Sequence, residues 1–373
     1  MNILITGGAG FIGSNLALAL AARGHVVTVM DNLSPQIHGE DSPLLATIAD
    51  HVRFLLGDVR NREDWISALE GQNAVVHLAA ETGTGQSMYE IERYVEVNIR
   101  GTALLLDLLA NQPHNVRKLV VASSRSIYGE GRYRCATHGI VYPLAREATH
   151  MQSGDFHVKC PHCGINAEVL ATTEDSRIHP SSLYGITKQN QEQMILTLGR
   201  SLNIPVVSLR YQNVYGPGQS LSNPYTGILS IFSTRIMNSN EIVIFEDGQE
   251  SRDFVYISDV VDATVAGIEL EDPGQHVVNV GSGKRTSVLT VARSLIEAYG
   301  AHVPVRVSGN FRLGDIRDNF ADIQAARALL GFTPKIDFAS GIRRFAEWVD
   351  GQAVRADTYD QSIAEMKAKG LYK

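Results

Sequence analysis

The sequence predicts an α/β fold built on a doubly wound parallel sheet, and three observations carry that prediction. Strand-like and helix-like segments alternate through the first half of the chain. A glycine-rich turn, Gly7-Gly8-Ala9-Gly10-Phe11-Ile12-Gly13, joins the first strand to the first helix. An acidic residue, Asp31, ends the second strand about 20 residues beyond that turn. Taken in order, the apolar run Ile3-Leu4-Ile5 predicts a strand over 2–6, and the periodic segment with Phe11, Leu16, Leu18 and Leu20 predicts a helix over 11–23. Further strands are expected over 26–30, 52–56, 74–78, 117–122 and 205–210, and helices over 62–70, 88–111 and 183–202. From about residue 215 the alternation becomes irregular and loops lengthen, which predicts a smaller second lobe.

Composition narrows the function classes. The chain has 373 residues, 44% of them hydrophobic, enough for a large core or two lobes. Its 33 basic and 40 acidic residues give a net charge of −7, so no global field favours nucleic acid or an anionic membrane, and neither is expected as a partner. No apolar run approaches the ~20 residues of a membrane span. The first strand begins at the N-terminus without a basic region or cleavage site, so a cytoplasmic protein is expected. The three cysteines all fall between positions 135 and 163, unlike a secreted disulfide framework.

The chemistry-bearing residues come in two groups. Glycines between a strand and a helix let the backbone approach a pyrophosphate at the positive helix N-terminus. Asp31 then stands where a carboxylate binds the adenosine ribose hydroxyls of NAD and repels the extra phosphate of NADP, although a solvated strand-end Asp would look the same. Downstream, Tyr184-Gly185-Ile186-Thr187-Lys188 puts a phenol and an ammonium on one face of a helix. A phenol titrates near pKa ~10 and is a poor base at neutral pH without help. Lys188 one turn on favours the phenolate, as would a positive nicotinamide ring.

These strings, with Gly57-Asp58-Val59, His77-Leu78-Ala79-Ala80, Val97-Asn98-Ile99-Arg100-Gly101-Thr102, Ser123-Ser124, Tyr128-Gly129 and Pro180-Ser181-Ser182-Leu183-Tyr184, form an ordered series. It continues with Leu209-Arg210-Tyr211-Gln212-Asn213-Val214-Tyr215-Gly216-Pro217, Arg252-Asp253-Phe254-Val255, Asn279-Val280-Gly281-Ser282-Gly283 and Gly314-Asp315-Ile316-Arg317. Over nearly its whole length the chain resembles the extended short-chain dehydrogenases/reductases of the nucleotide-sugar epimerase/dehydratase type. The resemblance implies a Rossmann-type sheet with a smaller C-terminal α/β substrate lobe: an NAD domain over 1–212, with an insertion at about 131–172, and a nucleotide-sugar domain over 213–373 whose segments pack back on the first. The implied cofactor residues are Gly7, Gly10, Phe11, Ile12, Gly13, Asp31, Asn32, Asp58, Val59, Leu78, Ala79, Ala80, Asn98, Tyr184 and Lys188. Of these, Asp58 and Val59 touch the adenine and Asn98 supports the site. The implied catalytic set is Ser124, Tyr184 and Lys188. Ser124, Ser126, Asn213, Asn223, Arg252, Arg312 and Arg317 are the implied substrate residues; Asn213, Arg252 and either Arg312 or Arg317 grip the nucleotide diphosphate, as guanidinium forks do.

The implied reaction is inversion at C4. Tyr184 removes the C4 hydroxyl proton as hydride passes to tightly bound NAD, Ser124 bonds the reacting hydroxyl, and the 4-keto sugar turns over before the hydride returns. Family dehydratases carry an Asp-Glu pair directly after the serine or threonine; here Arg125 and Ser126 stand there, which favours a 4-epimerase. Relatives usually have a small residue in place of Arg125, which either meets the substrate or sits at a strand end. Pro35-Gln36-Ile37-His38-Gly39, Gly83-Thr84-Gly85-Gln86-Ser87-Met88-Tyr89-Glu90 and Ser222-Asn223-Pro224-Tyr225-Thr226-Gly227 are similar to a subgroup that includes dTDP-L-rhamnose 4-epimerases. The 83–87 loop either lies against the sugar or is a flexible connection. UDP-glucose or UDP-N-acetylglucosamine is the rival substrate class, and an idle NAD-binding scaffold of the same fold the rival function. Relatives pair as homodimers through helices equivalent to 88–111 and 183–202, which predicts a homodimer here.

The insertion has its own chemistry. Cys135-Ala136-Thr137-His138-Gly139 and Cys160-Pro161-His162-Cys163-Gly164 are two-residue-spaced ligand pairs, each followed by glycine, as in zinc knuckles. Cys135, His138, Cys160 and Cys163 make a closed tetrahedral set suited to a structural zinc ion. Free surface thiols and a Cys160–Cys163 redox disulfide are the alternatives, with His150, His157 and His162 as spare ligands. The segment lacks the basic, aromatic surround of nucleic-acid knuckles.

Overall fold

Seven parallel strands make the central sheet: β1 (Asn2–Thr6), β2 (Val26–Asp31), β3 (Arg53–Leu56), β4 (Ala74–His77), β5 (Leu119–Ser124), β6 (Val206–Tyr211) and β7 (Gln275–Val280). Their order is β7-β6-β5-β4-β1-β2-β3. The chain starts in the middle and winds out to both edges, so the topological switch lies between β1 and β4, where Ile5 pairs with Val29 on one side and Val76 on the other. This computed structural model describes residues 1–39, 42–225 and 227–373. Thr226 of the Ser222–Gly227 string lies outside the described residues.

Side-chain alternation along the strands feeds two cores. Ile3, Ile5, Val27, Val29, Val76, Val120 and Val207 face one way and pack on α1 (Phe11–Ala22) through Leu16, Ala17 and Leu20. Leu4, Met30, Val75 and Val121 face the other way, against Trp65 of the helix Arg62–Leu69 and Leu105 and Leu109 of Gly101–Asn111. Both faces are covered, which is the doubly wound arrangement read from the alternation.

Two elements depart from expectation. The single helix predicted over 88–111 is broken into Ile91–Tyr94, a π-helical turn Val95–Arg100, and Gly101–Asn111. The π turn carries buried Asn98, whose amide donates to Glu81 O (3.1 Å) and Thr187 Oγ1 (2.9 Å) and accepts from Glu81 N (2.8 Å). These tertiary bonds outweigh regular helix geometry, as they often do where π turns occur. The seventh strand, β7, comes from the second half of the sequence and pairs with β6 from Gln275↔Val206 to Val280↔Tyr211.

The second half otherwise forms small paired strands, Asn213–Tyr215 with Phe254–Tyr256 and Ile242–Ile244 with Val305–Val307. The helices Ile228–Met237, Val288–Tyr299 and Phe338–Asp350 accompany them. The insertion is a three-stranded antiparallel sheet in which Tyr133–Cys135 lies between Gly139–Val141 and Glu168–Val169. Among the described residues no helix is long and apolar enough to cross a membrane.

Candidate active site

The carboxyl ends of β1, β2, β4 and β5 open onto a cavity of about 330 Å³. Its floor is the glycine-rich turn. Gly7 has φ +66°, and a Cβ there would lie 2.9 Å from the backbone of Ala79; a Cβ on Gly13 would lie 2.4 Å from Gly7 O. No side chain caps the start of α1, leaving its backbone N–H groups directed at the cavity as a pyrophosphate site requires. Of the expected cofactor residues, Gly7, Gly10, Phe11, Ile12, Gly13, Asp31, Asn32, Val59, Leu78, Ala79 and Ala80 line the cavity, and Ser124, Tyr184, Lys188 and Asn223 line it too. The side chains of Ser123 and Gln212 add buried polar atoms without partners in the protein, groups that a polar ligand satisfies.

Asp31 is held rigidly. Its Oδ2 accepts from Ala9 N at 3.1 Å and its Oδ1 from Leu33 N at 3.0 Å, and His38 Nε2 stands 3.1 Å from Oδ1. The sequence marked His38 only as part of the 35–39 string; the helix Pro35–His38 is what brings its ring to Asp31. Asp58 and Asn98 stand behind the cavity wall. Burial alone would raise the Asp58 carboxyl, but hydrogen bonds from Arg60 and Asn32 hold it down at about 2. It fixes Asn32 through a 3.1 Å bond.

The proposed catalytic residues converge from two elements. Ser124 ends β5, and Tyr184 and Lys188 occupy the first turns of the helix Leu183–Leu202, capped by Ser182 Oγ accepting from Gly185 N at 3.2 Å. Tyr184 N donates to Ser87 Oγ at 3.0 Å, so the 83–87 segment, a turn over Thr84–Ser87, braces the helix Leu183–Leu202. Burial raises the Tyr184 phenol; the hydrogen bond with Ser124 and the charge of Arg125 oppose that rise. Burial also lowers Lys188 to about 7, against the pull of Glu192. Its Nζ donates to Gln191 Oε1 at 2.7 Å, and Gln191 Nε2 donates to Thr102 Oγ1 at 2.9 Å. His77 Nε2 lies 3.0 Å from the same hydroxyl, and its Nδ1 lies 2.8 Å from Thr6 Oγ1. Burial, then the Lys188 charge, drives His77 down to about 3, so this buried chain runs from β1 to Lys188 through a neutral imidazole. The arrangement can move a proton between a hydroxyl on a ligand and Tyr184, with an amine poised near neutrality behind it.

The expected substrate residues divide. Ser126 Oγ donates to Ser124 Oγ at 2.9 Å. Asn223 Nδ2 is buried without a partner in the protein and lines the cavity. Asn213 Oδ1 accepts from Arg125 Nε at 2.8 Å. Burial, then the charge of Arg252, disfavours the Arg125 cation, yet a guanidinium keeps its charge under such stress. Among the described residues neither Arg125 nor Arg252 forms a salt bridge. Two neighbouring cations with no carboxylate in direct contact suit an anion, although Asp315 and Glu130 lie close enough to act on them. Arg252 is aimed by backbone carbonyls: Nη1 donates to Arg317 O at 2.9 Å and Nη2 to Ile316 O at 2.8 Å. Arg312 pairs with Asp315 at 2.7 Å and stacks over Phe245. Of the expected substrate residues, Ser124 and Asn223 line the cavity, whereas Ser126, Asn213, Arg252, Arg312 and Arg317 are not part of its lining. Glu246 (2.9 Å) and Asp247 (2.7 Å) engage the Arg317 guanidinium instead. Away from the cavity, Cys135, His138, Cys160 and Cys163 gather with their ligand atoms within 4.8 Å of one another.

Comparison with known proteins agrees with this geometry. The family model for the NAD dependent epimerase/dehydratase family matches residues 3–145 and 162–281. The chain belongs to that family. The expectation of an NAD-dependent enzyme of the nucleotide-sugar epimerase type is borne out. A dTDP-L-rhamnose 4-epimerase of Burkholderia thailandensis is 39% identical over 349 residues, covering 93% of this chain and 94% of that one. Among solved structures, a UDP-glucose 4-epimerase with UDP-glucose from Thermotoga maritima is 30% identical with a TM-score of 0.76, covering 94% of this chain and 99% of that one. A UDP-glucuronic acid 4-epimerase from Bacillus cereus, in complex with UDP-glucuronic acid and NAD, is 26% identical with a TM-score of 0.77 and the same coverage. The family match breaks over 146–161, within the insertion.

Proposed function

We propose that this family member is a nucleotide-sugar 4-epimerase with tightly held NAD, interconverting dTDP-L-rhamnose and dTDP-6-deoxy-L-talose. The observation that carries the reading is the convergence of Ser124, Tyr184 and Lys188 on the cavity floored by the glycine turn, with Arg125 and Ser126 in place of an acid pair. NAD, when bound, supplies the acceptor for the C4 hydride and gives it back. The protein's own part is to hold and move protons and to orient the sugar. Tyr184 accepts the C4 hydroxyl proton while Ser124, which lines the cavity beside it, keeps that hydroxyl aligned. Arg125 and Arg252 hold the diphosphate, so the neutral keto sugar turns while its anionic anchor stays in place. Arg125 and Ser126 stand where the family's dehydratases carry the acid pair that eliminates water, so the chain reads as an epimerase and not a dehydratase. Residues 1–212 then serve mainly the dinucleotide, and 213–373 the nucleotide sugar.

The 39% identity to the Burkholderia enzyme favours the rhamnose-type sugar; the UDP-sugar epimerases among the structural relatives favour UDP-hexoses as the second reading. A panel of dTDP-L-rhamnose, UDP-glucose and UDP-N-acetylglucosamine followed by NMR decides between them. Highest kcat/KM on the dTDP sugar supports the proposal, and turnover of UDP-hexoses alone overturns its substrate. The same proposal assigns a structural zinc ion to the insertion. It also assigns a homodimer paired through Gly101–Asn111 and Leu183–Leu202, between which Leu106, Ala110, Met194 and Leu198 line a shallow apolar groove. Light scattering at a monomer mass would remove the dimer.

A further inference from the structure

Three of the six edges among the insertion's four ligand atoms have tetrahedral length, and all four atoms lie within 4.8 Å of one another. Cys135 Sγ lies 3.6 Å from Cys163 Sγ and 3.6 Å from His138 Nδ1, and Cys160 Sγ lies 3.6 Å from the same nitrogen. Zinc bonds of about 2.3 Å to sulfur and 2.0–2.1 Å to nitrogen give tetrahedral edges of about 3.8 Å and 3.6 Å. A disulfide would need sulfurs about 2.05 Å apart. Backbone N–H groups turn in on the sulfurs, from Thr137 to Cys135 at 3.4 Å and from His162 to Cys160 at 3.5 Å. Gly139 and Gly164, at φ +68° and +70°, supply the left-handed residue that ends each turn.

The insertion has little else of its own to hold it together. Its buried cluster is Tyr133, Val141 and Val158 with Cys135 and Cys160 themselves, too few for a core without a staple. Yet it makes close contact with Phe311–Arg317, the segment whose carbonyls aim Arg252. Met151 and Phe156 pack on Phe311 and Leu313, the residues either side of Arg312. Buried Arg146 pairs with Glu130 at 3.1 Å and Glu246 at 2.7 Å and donates to Asp315 O at 3.1 Å. Glu130 accepts from Arg317 N at 2.8 Å, and the carbonyls of Ile316 and Arg317 aim Arg252.

We infer that zinc held by Cys135, His138, Cys160 and Cys163 locks the insertion onto Phe311–Arg317 and thereby sets the grip of Arg252, the neighbour of Arg125, on the substrate's diphosphate. The inference rests on the nucleotide-sugar reading of the cavity. The metal is a positioning element: its removal weakens nucleotide-diphosphate binding and leaves hydride chemistry and NAD retention intact.

The test compares the parent protein with Cys163→Ala and Cys163→His, Cys163 being the exposed ligand. Zinc per chain is measured by elemental analysis, dTDP and UDP affinity by calorimetry on the NAD-loaded protein, and KM and kcat separately. The expected result is one zinc per parent chain, and a cobalt(II)-substituted form with the intense visible bands of a thiolate-rich tetrahedral site. In Cys163→Ala the zinc is lost and both Kd and KM rise about tenfold or more, the scale of one charged hydrogen bond, with kcat and NAD content little changed. Cys163→His restores the metal and the affinity. If Cys163→Ala fails to fold, chelator treatment of the folded parent followed by the same calorimetry replaces it. Well below one zinc per chain, or one free thiol instead of three in the unreduced denatured parent, overturns the metal. Zinc loss with unchanged dTDP and UDP affinity overturns the positioning role. A parent that carries zinc but binds neither nucleotide overturns that role through the nucleotide-sugar reading, while the metal site stands.

Discussion

Replacing Lys188 by Met is expected to make the protein more stable and far less active. The ammonium is 3% exposed, and burial brings it from its ordinary 10.5 to about 7. At about 1.4 kcal/mol per pH unit, that difference corresponds to about 5 kcal/mol of stability forgone by keeping the amine inside. Its removal strands Gln191 Oε1, which accepts from Nζ at 2.7 Å, and an orphaned buried acceptor costs about 1–3 kcal/mol. The net gain at pH 7 is about 2–4 kcal/mol. The sign follows from proton counts. Between the folded and unfolded values, pH 7 to 10.5, the unfolded chain holds a proton that the folded one lacks, so parental stability rises with pH by about 1.4 kcal/mol per unit. The penalty is full below about pH 7 and gone above 10.5. Urea unfolding of nucleotide-free parent and variant between about pH 6 and pH 10 should show the advantage of Met shrinking along that slope, while kcat falls about 10²–10⁴-fold. A stability difference independent of pH would refute the buried-amine reasoning, and an unchanged kcat would remove Lys188 from the site.

Three other perturbations follow from the same geometry. Tyr184→Phe should lower kcat by about 10²–10⁴-fold while the purified protein keeps its NAD, read from the absorbance of dinucleotide released on denaturation; near-parental turnover contradicts the assigned base. Arg125→Met removes a charge that favours the Tyr184 phenolate, so the rising limb of the kcat–pH profile should move to higher pH and KM should increase; a superimposable profile contradicts it. Glu192→Gln leaves buried Arg210 without its 2.6 Å carboxylate partner, and should cost about 3–5 kcal/mol in urea unfolding; an unmoved midpoint refutes that weight.

Much of the sheet was legible because its signal is local. Runs such as Ile3-Leu4-Ile5 and Val120-Val121 are short, apolar and bounded by turns, and the observed strands β1 to β6 fall within two residues of those expected. Gln275–Val280 escaped notice because Gln275, His276 and Asn279 interrupt its apolar pattern and its partner strand lies far back in the chain. The π turn at Val95–Arg100 was invisible for a related reason: the bonds of Asn98 to Glu81 and Thr187 are tertiary. At the site, the glycine turn, Asp31, Tyr184 and Lys188 stood out because local spacing expresses their geometry, whereas Ser124 was marked only by the family resemblance. Arg312 and Arg317 could not be told apart that way, since acidic partners at Glu246 and Asp247 decide which one is drawn into the interior. His38 and Arg146 likewise gain meaning only from Asp31 and from Glu246, a hundred residues on. The two knuckles were readable for the opposite reason, each pair being set by its own turn.

The central claim is that C4 is oxidised and then reduced by the same hydride within one site. The most direct measurement uses dTDP-L-rhamnose deuterated at C4, incubated with the purified protein in ordinary water without added cofactor and followed by proton NMR. The account predicts the 6-deoxy-talose isomer with deuterium retained at C4. Conversion with that deuterium replaced by solvent hydrogen would contradict it.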